Sequence, residues 1–221
     1  MEEALGRDRP RDSEVTAERL EPARTCLLLF DFLEGHVNRD PKTRKRYNHV
    51  VANAEALLVA ARRAGALVAH AHADHAAGGA TAARTLRDTD NRLKPIDPND
   101  AESHRPLIEA GTPQARIIRE LAPEASDLLV PKHRWSAFHG TFLDSALRAR
   151  GVDTVILCGG STDVGIASTA FAGRDMGYNL VIASDACTSP ETDNHEQFMK
   201  RVFPRMGRVR RTAEILAMLE G

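Results

Sequence analysis

Short, continuously apolar runs alternate along the chain with segments in which apolar residues recur every three or four positions. The apolar runs predict buried strands at 25–30, 66–73, 127–132, 154–158, 179–184 and 208–211. Helical spacing predicts helices at 44–63, 115–121, 141–150, 164–176, 191–206 and from 212 onward. Fully apolar strands that alternate with helices predict an α/β fold with a doubly wound sheet, in which six mostly parallel strands are flanked by helices.

This Rossmann-like arrangement accounts for one domain, and two segments depart from it. Residues 1–22 are polar and irregular, which predicts a flexible N-terminal arm before a domain at 23–221. Residues 74–112 are rich in Gly, Asp, Asn, Pro and charged side chains, and they predict long loops around a short helix. Whether that loop segment closes over a ligand as a lid is left open by the pattern.

Charge and composition exclude several classes of partner. The chain carries 30 Lys and Arg against 31 Asp and Glu, a net charge of −1, which predicts no general attraction to nucleic acid or to an anionic membrane. The basic clusters 42–46 and 205–211 are interpreted as solvated ends of secondary structure. No apolar run approaches the roughly 20 residues that span a bilayer. Cys26, Cys158 and Cys187 lie in or beside apolar runs without paired spacing, which predicts reduced thiols in a cytoplasmic protein.

Polar residues follow several of the predicted strands. Asp31 follows the first strand, Lys132 ends the third, and residues 161–165 follow the fourth. Because the carboxyl ends of parallel strands meet at one edge of a sheet, we expect these groups to converge there. The alternative is purely structural, with Asp31 as a cap and Lys132 as a surface charge.

Three stretches carry a resemblance to a known family. They are "LLLFDF" with Asp31, "VPKHRWSAFHGTFLDSALRARGVDTVILCGG" with Lys132, and "STDVGIASTAFAGRDMGYNLVIASDACTS". Together they resemble the isochorismatase-like hydrolases of the cysteine hydrolase superfamily, over roughly residues 24–220. That family includes nicotinamidases, carbamoylsarcosine amidase, biuret and ureidoacrylate hydrolases, and isochorismatase itself. The resemblance implies a hydrolase of small molecules that forms homo-oligomers, as dimers or tetramers.

The resemblance also implies roles for individual residues. Most members carry an Asp, a Lys and a nucleophilic Cys, so Asp31 would be the general acid or base and Lys132 its charged partner. The Cys position falls on Gly165, in "TDVGI" where "TNVCV" is usual. A glycine forms no covalent adduct, so the usual covalent route is closed. We expect the small Gly165 to leave room for a bulkier substrate or an activated water.

In the same family, the segment before the nucleophile supplies backbone N–H groups to an oxyanion. Carried over, these residues are Gly160, Ser161 and Thr162, with a cis peptide bond expected between Gly160 and Ser161. Cys158 is expected to pack in the core and Cys187 to lie in the turn after the fifth strand, so neither is favoured as a substitute nucleophile.

Other polar side chains near these segments could bind a substrate. Trp135 beside Lys132 is expected to form a pocket wall, and His72 is a candidate contact. Arg87, with the neighbouring arginines of the 74–112 loop, could grip a carboxylate, although an exposed position explains them equally well. His70 and His72 share one strand face, but we expect no metal and no other cofactor.

Two functions of different classes fit these observations. The first is a hydrolase of a small, carboxylate-bearing metabolite that uses Asp31 and Lys132 for acid–base chemistry. The bond would be an enol ether, as in isochorismatase, which also lacks the cysteine, or an amide or ureide attacked directly by water. The second is a catalytically silent relative that binds a small molecule or a partner.

Overall fold

The computed structural model describes residues 18–81 and 108–220. Within them six strands form one sheet, and every neighbouring pair of strands is parallel. In chain order they are β1 (Thr25–Phe30), β2 (Leu67–Ala73), β3 (Leu128–Lys132), β4 (Thr154–Gly160), β5 (Asn179–Thr188) and β6 (Arg208–Arg210). Their spatial order is β3-β2-β1-β4-β5-β6. The predicted six-stranded, doubly wound sheet is confirmed, and it is parallel throughout.

The α-helices in the described ranges are α1 (Glu34–Val37), α2 (Pro41–Ala64), α3 (Leu143–Ala149), α4 (Ala167–Asp175), α5 (Thr192–Gln197) and α6 (Thr212–Glu220). Among them, none combines the length and the apolar character that crossing a membrane requires. The long helix α2 begins after Asp40, whose carboxylate accepts the Thr43 N–H at 2.8 Å. It ends at Gly65, which takes a left-handed φ of 77°.

Side chains of β1 point alternately to two apolar layers. Leu27 and Leu29 pack with α2 and α6 on one face, while Leu28 and Phe30 pack with α3 and α4 on the other. Because both faces of the central strand are covered, all six residues of β1 are buried, and Thr25 is the only polar one among them. The β1 sequence therefore stops being apolar only where the strand reaches the edge of the sheet, at Asp31.

The predicted helix at 115–121 is wrong. The segment contains two 3₁₀ turns, Pro113–Ala115 and Arg119–Leu121, with extended residues between them. Ile117 pairs with Leu33 in an isolated antiparallel bridge, and the Ile118 N–H donates to the Phe32 carbonyl at 3.0 Å. These contacts with the chain after β1 override the local helical spacing.

Two other predicted helices are helical but irregular. The segment at 164–176 is a π-helical turn, Thr162–Ile166, followed by α4. The segment at 191–206 is α5 followed by a second π-helical turn, Phe198–Val202, and a 3₁₀ turn. The π-helical turn after β4 matters for the site because it lies at the predicted nucleophile position.

The two irregular segments of the sequence fall mostly outside the described residues. The end of the predicted arm packs on the domain: Leu20 is buried, and its N–H donates to the Met218 carbonyl at 2.8 Å. Of the predicted loop at 74–112, residues 82–107 lie outside the described ranges, so a lid function stays a prediction.

Candidate active site

Asp31 lies directly after β1, where the strand order reverses. The chain runs from β1 through β2 to β3 on one side and resumes with β4 on the other side of β1, which is where open α/β sheets form ligand crevices. Asp31 has a φ of 54°, a left-handed conformation that Asp tolerates better than most residues. Its Oδ1 atom accepts a 2.8 Å hydrogen bond from the Ala73 N–H at the end of β2.

Lys132, the last residue of β3, forms a buried ion pair with Asp31. Its Nζ donates to Asp31 Oδ2 at 2.7 Å, and the two side chains are only 5% and 9% exposed. The same Nζ lies 4.4 Å from the centre of the Phe30 ring, which is a cation–π contact. A short charge-assisted hydrogen bond with little access to water is suited to holding and transferring a proton.

The peptide bond between Gly160 and Ser161 is cis, which confirms that expectation. Gly160 and Ser161 both line a cavity that also contains Asp31. Thr162 instead is fully buried, and its hydroxyl lies 2.9 Å from His195 Nδ1. The structure therefore brings two of the three predicted backbone residues to the cavity.

Asp163 is the centre of a hydrogen-bond network that holds the segment after the cis peptide. Its carboxylate accepts hydrogen bonds from Ser161 Oγ at 2.5 Å, Ser189 Oγ at 2.7 Å and Asn194 Nδ2 at 2.7 Å. Burial acts to raise the pKa of Asp163, but the three hydrogen bonds outweigh it and hold that pKa below its usual value. The network thus requires the charged carboxylate.

Gly165, at the nucleophile position, lines the cavity but has no open space where a side chain would begin. A Cβ built on its backbone would overlap the Phe30 ring, with Cζ only 2.5 Å away. The expectation that Gly165 leaves room for a bulkier substrate or a water is wrong, because Phe30 fills that room from β1. Both residues line the cavity, so an aromatic ring forms the wall where the resemblance would place a cysteine.

The cavity has a volume of about 220 Å³ and opens beside the Asp31–Lys132 pair. Side chains from α1, α2 and the segment between them supply a further wall that the sequence analysis did not assign to the site. They are His36, Arg39, Arg46 and Tyr47. With three of its lining side chains being Lys or Arg and one Asp, the cavity is suited to an anionic ligand.

His36 contacts the turn that carries Asp31. Its Nδ1 lies 3.4 Å from the Asp31 carbonyl oxygen, and burial lowers the pKa of His36 below its usual value. A neutral imidazole therefore faces the cavity at pH 7. No spacing in "LEGHV" singles out this histidine, because its position depends on the short helix α1, which the sequence pattern does not predict.

Arg46 belongs to the basic cluster 42–46 that was interpreted as a solvated helix end. That interpretation is wrong for Arg46, which lines the cavity. Thr43 and Tyr47 on the same helix are buried, and Arg46 follows Thr43 by three positions. Residues three and four apart share a helix face, so this spacing was the available signal.

The predicted substrate contacts have different outcomes. Trp135 lines the cavity and is 58% exposed, so it stands at the rim. His72 is not among the described residues of the cavity wall, and burial lowers its pKa. Arg87 lies outside the described residues, and its role stays a prediction.

All three cysteines are buried in the sheet. Cys187 lies within β5, and not in a turn as expected, because β5 continues to Thr188. Burial raises the pKa of Cys187 to about 12 and that of Cys158 well above its usual value. Neither thiol is suited to act as a thiolate nucleophile.

The histidines of β2 have structural contacts. His70 is buried, and its Nε2 lies 3.1 Å from Asp127 Oδ2, just before β3. In the described ranges no group of three or more His, Cys, Asp or Glu side chains is placed to hold a metal ion.

The fold and this site together define a hydrolase of the doubly wound α/β class. The family model of the isochorismatase domain matches residues 25–214. The chain belongs to the isochorismatase family.

Individual relatives agree with this assignment. The chain is 30% identical to ureidoacrylate amidohydrolase RutB of Acinetobacter baylyi over 196 residues, which are 84% of this chain and 79% of that protein. It is 39% identical to the uncharacterized isochorismatase family protein YecD of Escherichia coli O157:H7 over 127 residues, 54% of this chain and 67% of the relative. A solved structure of an isochorismatase family protein from Burkholderia thailandensis matches with a TM-score of 0.76 at 30% identity, covering 93% of this chain and 100% of that one.

Proposed function

We propose that this protein hydrolyses a small, carboxylate-bearing metabolite by proton transfer at Asp31, without a covalent enzyme intermediate. The observation that carries the proposal is the buried ion pair between Asp31 and Lys132, 2.7 Å apart at the wall of a cavity. This pair is the one part of the usual catalytic set that the chain retains.

The absence of a covalent step follows from what surrounds the pair. Gly165 offers no nucleophilic atom, and the Phe30 ring occupies the space beside it. Cys158 and Cys187 are buried with raised pKa values. Water is therefore the nucleophile that reaches the substrate carbon.

The Asp31–Lys132 pair can either donate a proton to the substrate or accept one from water. For an enol ether, the proton shared by Asp31 and Lys132 moves to the vinyl carbon, which leaves the pair with one negative charge that stabilises the resulting cation electrostatically. Water then adds to the cation, one of its protons returns to Asp31, and the hemiketal collapses to a ketone and an alcohol. For an amide or ureide, Asp31 takes a proton from the attacking water, and the pair gains a positive charge beside the developing oxyanion. When the C–N bond breaks, Asp31 passes this proton to the leaving nitrogen.

The two bond classes have different support. Enol-ether cleavage needs no protein nucleophile, and this suits a site in which Phe30 fills the nucleophile position. Amide or ureide cleavage agrees with the name of the relative RutB, a ureidoacrylate amidohydrolase. The proton-transferring residue is the same in both.

A hydrolysis screen with product detection by mass spectrometry tests the proposal. The substrates are isochorismate as the enol ether, and ureidoacrylate, maleamate and N-carbamoylsarcosine as the ureides and amide. Asp31→Asn keeps a carbonyl oxygen for the Ala73 N–H but no longer transfers a proton, so we expect it to lose turnover. Asp175→Asn, an exposed change at the end of α4, is the matched control and should retain it.

The screen also separates the enzyme from the silent binder. Turnover that disappears in Asp31→Asn supports the hydrolase. Equal turnover in Asp31→Asn would exclude Asp31 as the proton-transferring group. If no substrate is hydrolysed while a small carboxylate still raises the melting temperature, the binding function is favoured instead.

A further inference from the structure

We propose that Arg46 is the anchor for the substrate carboxylate, and that the ligand is a small monoanion that places its remaining atoms beside Asp31. This inference rests on the proposed function, because it assigns a binding role within the same cavity. Arg46 lies on α2, and it lines the same cavity as Asp31 and Lys132. No sequence motif of the site includes it.

Arg46 lacks an acceptor within the described part of the chain. Its Nε is buried and has no hydrogen-bond partner. Its guanidinium lies 5.6 Å from the centre of the neighbouring Tyr47 ring, which fixes the position of the group without satisfying its donors. A buried donor left without an acceptor is unfavourable, so a ligand that supplies one gains that free energy on binding.

The neighbouring arginines differ in this respect. Arg39 donates from Nε to Asp40 at 3.1 Å, although it also lines the cavity. Arg44, two positions before Arg46, donates to Glu120 at 2.9 Å. Of these three arginines, Arg46 alone forms no ion pair with a carboxylate in the described part of the chain.

The charges of the cavity wall specify the ligand. Lys132 is neutralised by Asp31, and Arg39 by Asp40. This leaves one positive charge, that of Arg46, to be matched by one carboxylate. The planar fork of a guanidinium donates two parallel hydrogen bonds to a carboxylate, which fixes direction as well as distance.

The shape of the cavity specifies the ligand further. A volume of about 220 Å³ admits a small molecule only, and the rings of Phe30 and Trp135 line it. These flat apolar surfaces favour a planar, unsaturated body. We therefore assign the ligand class as small, planar monocarboxylates. Among the substrates of the hydrolysis screen, this assignment favours the ureides and the amide, which carry one carboxylate each, over isochorismate, which carries two.

Binding measurements on the whole chain test this without requiring turnover. Isothermal titration calorimetry would compare benzoate, crotonate and N-carbamoylglycine with their primary amides, which match them in shape but carry no charge. We expect at least one acid to bind the wild-type protein about tenfold or more tightly than its amide. We expect Arg46→Gln to abolish that preference and Arg46→Lys to retain part of it, because an ammonium keeps the charge but not the fork.

Lys45→Gln is the matched control, since it removes the same charge from an exposed side chain one position away on α2. It should bind the acid as the wild type does. Arg46→Gln breaks no hydrogen bond of the described structure, so circular dichroism and the ligand-free melting temperature should show that it folds.

The outcomes distinguish this inference from the proposed function. If no acid binds better than its amide, or if Arg46→Gln binds the acid as well as the wild type, Arg46 is not the anchor, whatever the hydrolysis screen shows. If the acid preference depends on Arg46 but no substrate is hydrolysed, the anchor stands and the proposed hydrolysis falls.

Discussion

The ring of Phe30 lies where a side chain at position 165 would stand, so Phe30 and Gly165 are sterically complementary across β1 and the turn after β4. Phe30 is almost fully buried, and it also receives the Lys132 ammonium over its face at 4.4 Å. One aromatic side chain thus closes the nucleophile position and contacts the retained ion pair. Phe30 and Gly165 therefore fit each other, and the Phe30 ring fills the space that a cysteine side chain at position 165 would need.

The fit predicts that the two positions are energetically coupled. Gly165→Ala should destabilise the protein by about 1–3 kcal/mol, because its Cβ overlaps a packed ring. In the Phe30→Leu background, where a smaller aliphatic side chain replaces the ring, Gly165→Ala should cost clearly less. Urea unfolding of the four proteins of this double-mutant cycle measures the coupling. Additive effects of the two changes would show that Phe30 does not fill the space beside Gly165.

The buried ion pair predicts a second coupling. Lys132→Met leaves the Asp31 carboxylate buried without its cation and should destabilise the protein by about 3–5 kcal/mol. Adding Asp31→Asn removes that unpaired charge, so the double variant should be more stable than Lys132→Met alone. Thermal and urea unfolding at pH 7 check the order of stability. If the double variant is less stable than Lys132→Met, the unpaired Asp31 carboxylate is not what destabilises the single variant.

Much of the fold was accessible from the sequence because its strands are buried on both faces. Each of the six predicted strands exists, since a strand covered on both sides is a short apolar run that local pattern alone reveals. The helix predicted at 115–121 is absent, because contacts with a distant part of the chain decide the structure of that segment. Ile117 and Ile118 bond to the chain after β1, and that pairing partner cannot be inferred from their own spacing.

The site was only partly accessible. The position of Asp31 and Lys132 at one sheet edge follows from parallel strands, so their pairing could be anticipated. The contact between Phe30 and Gly165 could not, because two residues far apart in sequence meet only through the register of β1 beside β4. The cavity position of Arg46 depends in the same way on how α2 is oriented over the sheet.

Histidine burial predicts that the protein loses stability in mild acid. Burial lowers the pKa of five histidines below the usual 6.5: His36, His70, His72, His75 and His195. The unfolded chain therefore binds more protons than the folded protein below that pH, so the free energy of unfolding is highest above about pH 6.5 and falls as the pH drops through it. Urea unfolding between about pH 8 and pH 5 measures this slope. A free energy of unfolding that stays constant over that range would contradict the burial of neutral imidazoles.

Asp163 does not itself line the cavity, but its carboxylate holds Ser161, which does. Asp163→Ala removes both carboxylate oxygens, which are the acceptors of Ser161, Ser189 and Asn194. We expect a loss of about 1–3 kcal/mol in the free energy of unfolding, because the hydroxyl of the buried Ser189 loses its acceptor.

Because Asp163 acts through Ser161, its replacement should also displace the backbone at the cavity and weaken ligand binding beyond the loss of stability. Asn194→Ala is the matched variant, since it removes one donor from the network and leaves the contacts of Asp163 with Ser161 and Ser189 in place. Calorimetric titration of a carboxylate that binds the wild type should therefore show weaker affinity for Asp163→Ala than for Asn194→Ala. Equal affinities would mean that the network stabilises the fold without positioning the cavity wall, and Asp163 would then have a purely structural role.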